Sequence, residues 1–258
     1  PEDVPDGEEE SLGIIPRAVA DLFKILEEKA LVNPKFDYSV SCQIMQIYNE
    51  KIFDLMQDKR RQNPLQLRDN HKDNQKEKEG IDGAKSSGTV HVRGMSVYRI
   101  YSREEAIQLL KQGMRNRAIR ATDFNSESSR SHTILQLFVT VEEEDEQGLM
   151  LLKRSTFSLV DLAGSEKWRS SLSTSTTNLQ AEAAVQAQMK EMTNINTSLH
   201  VLGNCVSALI EPNRRHVPYR DSVLTRLLQD PLGGNGRTIL IATIHADAGH
   251  KEETYSTL

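Results

Sequence analysis

The strongest constraint on the fold is a pair of apolar stretches, Thr133 to Val141 and Leu149 to Leu159, joined by the acidic turn Glu142-Glu-Glu-Asp-Glu-Gln-Gly148. Two strand-like runs separated by a short polar connection ending in glycine predict an antiparallel hairpin. What brackets the hairpin matters more than the hairpin itself. Before it stands Asn125-Ser-Glu-Ser-Ser-Arg-Ser-His132, a loop carrying hydroxyls and one arginine. After it, Leu159-Val-Asp-Leu-Ala-Gly-Ser-Glu166 ends a strand on an acidic residue and turns on a glycine. Pairing the two strands brings both loops to one end of a sheet, where ligands collect in open α/β architectures. Hydroxyls and an arginine suit a metal ion and a phosphate, and a glycine lets a backbone N–H approach a phosphate oxygen.

The remaining pattern is that of an α/β chain. Ile14 to Glu28 has apolar residues at helical spacing, with Pro16 tolerable in a first turn. Tyr38 to Tyr48 alternates and is rich in Val and Ile, which predicts a strand, and Ile52 to Met56 reads as a short helical piece. Asp69 to Gly88 is Lys, Asp, Asn, Gln, Glu, Gly and Ser with almost nothing apolar, so no core can be built from it and residues 69–88 read as a charged surface insertion. Val90 to Ile100 returns to strand pattern. Ser102-Arg-Glu-Glu105 is a capping box opening a helix to about Arg117. A long helix is expected from Gln180 to Ile210, its stripe of Val185, Met189, Ile195, Leu199, Leu202 and Val206 read as core packing. Asp221 is expected to cap a short helix through Gln229, and Thr238 to Ile244 to form an apolar strand.

With 258 residues, one large α/β domain is the better reading than two small ones. A net charge of −5 argues against a general nucleic-acid binder. The longest apolar runs are strand-sized, and the acidic Glu8-Glu-Glu10 is unlike a signal or transit peptide, which points to the cytosol. Cys42 and Cys205, far apart in apolar surroundings, read as buried free thiols.

The two bracketing loops resemble the switch I and switch II motifs of kinesins. His216-Val-Pro-Tyr-Arg-Asp-Ser-Val-Leu-Thr-Arg-Leu-Leu-Gln-Asp230 resembles that family's microtubule-facing segment, and the three occur in the family's order. The resemblance covers nearly the whole chain. It implies an α/β, P-loop NTPase-like kinesin motor fold, a central mixed sheet flanked by helices, here incomplete. It also implies ATP and Mg²⁺ as ligands, with Asn125, Ser128, Ser129 and Asp161 as the nucleotide-binding set. Within that set Ser129 would help hold Mg²⁺ and Asp161 would bind it through a water. By the same resemblance the Gly164 N–H meets the γ-phosphate, Arg130 and Glu166 form the ion pair that closes the switches and orders the attacking water, and Asn194 supports that water. The implied partner is the microtubule, reached through His216, Tyr219, Arg220, Asp221 and Arg226, with neither nucleic acid nor membrane involved. The expected location is the cytoplasmic microtubule cytoskeleton. Tubulin's surface is acidic, so a local basic cluster can face it whatever the total charge. Val223 departs from the family, many of whose members carry lysine there.

A P-loop reads G-x-x-x-x-G-K-[ST] after a buried strand, because successive backbone N–H groups and a lysine wrap the β- and γ-phosphates. No such run occurs among these residues. The nearest lookalike, Gly233-Gly-Asn-Gly-Arg-Thr238, has arginine for lysine and precedes an apolar stretch, so it reads as a turn. In kinesins the P-loop lies upstream of a segment like Gly13 to Phe23, so the chain is expected to begin just after it. It is likewise expected to stop, at Glu253 to Leu258, within the approach to the last motor helix. A sheet without that strand is expected to show unpaired edges and an apolar gap. Between the second loop and Asn194 the residues 167 to 193 make a longer crossing than kinesins normally have, and 167–179 reads as an extended switch II loop. Two functional readings follow. One is a portion of a motor domain whose complete form is a microtubule-stimulated ATPase. The other is a non-catalytic microtubule-binding module that has lost the nucleotide cradle.

Overall fold

The computed structural model describes residues 13–57, 63–69, 90–123, 130–145, 147–164, 179–212, 214, 216–234, 236–244 and 246–257, and leaves aside the side chains of 119–123, 179–192, 194, 195, 248, 253, 256 and 257. The chain opens with helix α1 (Ile14–Val32) and then strand β1 (Asp37–Tyr48). Asn49 and Glu50 both take left-handed backbone, φ 51° and 56°. That is the two-residue turn that matches the twist of a hairpin, and it folds β2 (Lys51–Asp54) back onto β1, with Tyr48 opposite Lys51. The piece expected to be helical from Ile52 to Met56 is instead strand through Asp54 and turn at Leu55 and Met56. Its apolar residues satisfy either pattern, and the turn before them decides.

Strands β3 (Gln66–Asp69) and β4 (Val90–Arg93) form a separate antiparallel pair, Gln66 opposite Arg93 and Asp69 opposite Val90. The first residue of the predicted insertion thus belongs to a strand, while 70–89 lie outside the described residues. The strand expected from Val90 to Ile100 is broken at Gly94, whose φ of +78° few other residues adopt, and resumes as β5 (Tyr98–Ile100) on β1. The Ser102 half of the predicted capping box is formed at helix α2 (Arg103–Asp123), where the Glu105 N–H donates to Ser102 Oγ at 3.3 Å, while the reciprocal bond goes one residue further back. The Glu105 carboxylate reaches back to the Tyr101 N–H at 2.8 Å. The helix runs one and a half turns past the expected Arg117.

The central hairpin is present as β6 (His132–Glu144) and β7 (Met150–Asp161), paired from Thr133–Asp161 to Glu144–Met150. Strand β6 also pairs antiparallel with β1, so the order across the sheet is β2, β1, β6, β7. Register across its middle is marked by a polar row: Gln43 Nε2 donates to Gln136 Oε1 at 2.6 Å, and Gln136 Nε2 to Ser158 Oγ at 3.2 Å. A one-residue slip would break this row and turn every apolar side chain to the wrong face.

Alternating residues divide the core between the two faces. Val40, Cys42, Ile44, Leu135, Leu137 and Val139 pack with Val19, Phe23 and Leu26 of α1 and Ala106 of α2. Met45, Ile47 and Ile134 face the other way and pack with Leu224, Leu227 and Leu228 of the C-terminal segment, with Leu202 at the margin. Leu202 belongs to the long helix α3 (Leu179–Ile210), found where the apolar stripe placed it. After it come a 3₁₀ turn (Tyr219–Asp221) and two short helices, α4 (Val223–Leu227) and α5 (Gln229–Gly233). The cap of α4 is Ser222, whose Oγ accepts from the Leu224 N–H, and not Asp221, which lies within the preceding turn. The single helix expected through Gln229 is interrupted at Leu228. Thr238 to Ile244 forms no strand: no described strand lies beside it to complete its hydrogen bonds, and Ile239, Leu240, Ile241 and Ile244 are exposed. The described chain ends in helix α6 (Lys251–Thr257). No helix of the described residues is long and apolar enough to cross a membrane.

Candidate functional site

Thr133 sits opposite Asp161, so the end of the first loop and the start of the second meet at one end of the sheet, as the hairpin pattern requires. Asp161 is the last residue of β7 and Gly164 closes the short stretch after it. Arg130, partly buried, resumes the described chain two residues before β6. Asn125, Ser128, Ser129 and Glu166 lie outside the described residues, and so does the expected Arg130–Glu166 pair. Asn194 lies within α3, and its side chain is likewise outside the description.

Between these two loop ends the structure places a residue that the sequence reading passed over. Arg117, on α2, is buried, and its Nη1 lies 2.7 Å from Asp161 Oδ2 while its Nη2 donates to the Ser131 carbonyl at 3.2 Å. One guanidinium thus ties the acidic residue of the second loop to the backbone that ends the first. The charge is buried on the arginine side only: 8% of the Arg117 side chain is exposed against 53% of Asp161. Such a pair contributes little net stability but leaves an uncompensated charge if the carboxylate is removed. Helical spacing on α2 was the only signal for Arg117, and an arginine there reads equally well as solvated. Beside it, Gln46 of β1 donates through Nε2 to Ser131 Oγ at 2.9 Å, and His132 Nδ1 accepts from the Ala163 N–H at 3.0 Å. Burial pushes the His132 imidazole down to about 4, with neighbouring Asp161 opposing and Arg117 reinforcing the shift, so the ring is neutral near pH 7.

Of the expected nucleotide-binding set only Asp161 is described, and its setting suits a hydrated cation. Asp161 keeps its carboxylate half in solvent with one oxygen on Arg117, which fits a hard cation reached through a water. Among the described residues no group of three or more His, Cys, Asp or Glu could cage a metal. A cation at this end of the sheet would draw its other oxygens from hydroxyls, water and phosphate, the usual habit of Mg²⁺.

The residues expected to face a filament divide into outward and inward members. His216, Arg220 and Asp221 are exposed. Arg226 is only partly so, and its Nη2 lies 2.9 Å from both carboxylate oxygens of Asp69, at the end of β3. Tyr219 turns inward: its hydroxyl is buried and meets no partner among the described residues, and burial, with Cys205 and Asp230 nearby, raises its pKa. The phenol occupies the space over Gly233, where an added Cβ would collide with Tyr219 Oη. The glycine of the apparent phosphate-loop lookalike is there to admit a tyrosine. The segment is fastened from across the molecule, since Glu50 accepts from Ser222 Oγ at 3.1 Å and from the Val223 N–H at 2.6 Å.

A family model for the kinesin motor domain matches residues 5–258. This chain belongs to the kinesin motor domain family. It is 38% identical to Kinesin-related protein 5 of Dictyostelium discoideum over 249 residues, 96% of this chain and 22% of that protein. It is 35% identical to Kinesin-like protein KIF11 of Mus musculus over 259 residues, 100% of this chain and again 22% of the relative. Among solved structures it is similar to the one described as "Structure of a fast kinesin: Implications for ATPase mechanism and interactions with microtubules". That likeness has a TM-score of 0.73 at 34% identity and covers 95% of this chain and 60% of the other. The fold is accordingly the α/β kinesin motor fold, and the chain spans about a fifth of the length of the curated relatives it matches. The kinesin-like order of loops read from the sequence coincides with the sheet end where Arg117 joins them.

Proposed function

We propose that this chain is the switch-bearing and filament-facing part of a kinesin motor that hydrolyses ATP and moves along, or acts on, microtubules. The observation that carries this reading is the meeting of the Arg130 and Asp161 ends of β6 and β7 at one sheet end, joined by the buried Arg117. Hydrolysis needs the γ-phosphate held, its charge neutralised and a water placed in line. In this reading the Gly164 N–H approaches the γ-phosphate, and Ser129 and Asp161 hold the cation, the latter through a water. Asn125 and Ser128 line the nucleotide. Arg130 and Glu166 close over it and order the attacking water, with Asn194 in support. Bound Mg²⁺ would supply charge neutralisation for the phosphates. Arg117 orients the Asp161 carboxylate, so that the cation is met by a fixed group. His216, Arg220 and Asp221, all exposed, are the side chains offered to the acidic filament surface. Arg226 and Tyr219 shape that surface from within. The work takes place at cytoplasmic microtubules.

The test is steady-state ATP turnover by the full-length product with and without microtubules. Stimulation by an order of magnitude or more is expected. Glu166→Ala should lower stimulated turnover by about 100-fold or more while cosedimentation with microtubules persists. Turnover that microtubules leave unchanged would overturn the reading.

A further inference from the structure

His132 makes a second contact, and the two together define what its ring does. Its Nε2 lies 2.8 Å from Ser198 Oγ, a buried hydroxyl on α3. Its Nδ1 accepts from the Ala163 N–H. A backbone N–H can only donate, so Nδ1 must present its lone pair. The ring proton is therefore on Nε2, where it donates to Ser198 Oγ. An imidazolium could not hold both contacts, because a proton on Nδ1 would face the Ala163 N–H. The ring is thus a fixed-direction bridge between two pieces of chain that share no other side-chain bond described above. At one end is the turn after Asp161. At the other is a helix that packs against α4 and the Tyr219–Asp221 turn.

We propose that His132 is a positioning residue that couples the Asp161–Gly164 turn to α3, so that displacement of the turn is passed to the helix, and through it to the filament-facing segment, by one neutral imidazole. The inference rests on the function proposed above, because only in a motor is there something to pass. Its geometry has two separable arms. Ser198→Ala removes the helix arm alone. His132→Asn keeps an acceptor near the Nδ1 position for Ala163 and has nothing to reach Ser198. His132→Gln reaches toward Ser198 and leaves the Ala163 N–H without its acceptor. A residue that merely filled space would not distinguish these variants.

The experiment is basal and microtubule-stimulated ATP turnover of the full-length product and its Ser198→Ala and His132→Asn variants. Both variants are expected to lose stimulation by about fivefold or more, the scale of one buried hydrogen bond. Basal turnover of Ser198→Ala should stay within about twofold of the parent. Equal losses in basal and stimulated turnover, or no loss in either, would overturn the coupling role while leaving the motor reading intact. A parent protein without stimulated turnover would remove both together. A second measurement requires no variant to fold: the imidazole ¹⁵N shifts of His132 in the native protein. A neutral ring protonated on Nε2 is expected, and a ring protonated on Nδ1, or on both nitrogens, would overturn the proposal.

Discussion

Strands β6 and β7 are partners in one hairpin, similar in length and both rich in apolar residues, yet one is core and the other is surface. In β6, Ile134 and Leu137 are 0% and 1% exposed. In β7, Leu152 and Phe157 are 52% and 40% exposed, although Phe157 is the direct cross-strand partner of Leu137. The difference is cover. Strand β6 lies between β1 and β7 and is roofed by α1 and α2, whereas β7 is paired on one edge only among the described strands. Apolar sequence therefore marks where burial is available, and neighbouring elements decide where it occurs. The run from Thr238 to Ile244 makes the same point, with strand-like composition, no described strand beside it, and exposed isoleucines. Both β7 and this run leave apolar side chains exposed among the described residues.

The matched pair gives the sharpest test of that comparison. Leu137→Ala should cost about 3 kcal/mol or more in urea denaturation, through lost burial and the cavity left behind. Phe157→Ala should cost only about 1 kcal/mol, since much of the ring is already in water. Equal costs would mean that β7 is covered in solution. A second test uses the site end of β6. His132 is pulled down from 6.5 to about 4 on folding, so the unfolded chain takes up its proton first. The stabilising contribution of the neutral ring is present in full above about pH 6.5 and is lost as the pH falls toward 4. It amounts to about 3 kcal/mol at most. Stability measured across that window should fall in the parent and flatten in His132→Asn. Next in size is Gly233→Ala, expected to cost about 1–2 kcal/mol because its Cβ meets Tyr219 Oη, with part of the loss recovered by adding Tyr219→Phe. Smallest is Tyr219→Phe alone. Its buried hydroxyl meets no partner among the described residues and so contributes nothing by hydrogen bonding there, and thermal stability should be unchanged or slightly raised.

What was legible in the sequence follows the same logic. The hairpin, α1, β1 and α3 declare themselves by period, because each buries a regular stripe or face. Ile52 to Met56 holds four apolar residues that fit either period, and the turn at Asn49 and Glu50 that settles the matter has no glycine to announce it. Thr238 to Ile244 has strand composition without strand pairing among the described residues. At the site, the two loop runs were legible as motifs of the family the chain belongs to, although Asn125, Ser128, Ser129 and Glu166 lie outside the described residues. Arg117 and the Nδ1 and Nε2 contacts of His132 were not, because they join residues 14 to 66 positions apart and only tertiary packing brings them together. Tyr219 and Arg226 belong to the segment expected to face a filament, but the structure turns one inward and ties the other to Asp69.

The Glu50 carboxylate also has a consequence for the order in which the molecule assembles. It grips Ser222 and Val223 across 172 and 173 positions of chain. A contact of that span carries a large loop-closure penalty, so it forms late, after the β1–β2 turn has already presented the carboxylate. The hairpin is thus a waiting receptor and α4 its last arrival. Glu50→Gln should therefore speed unfolding while leaving the formation of the sheet at its native rate.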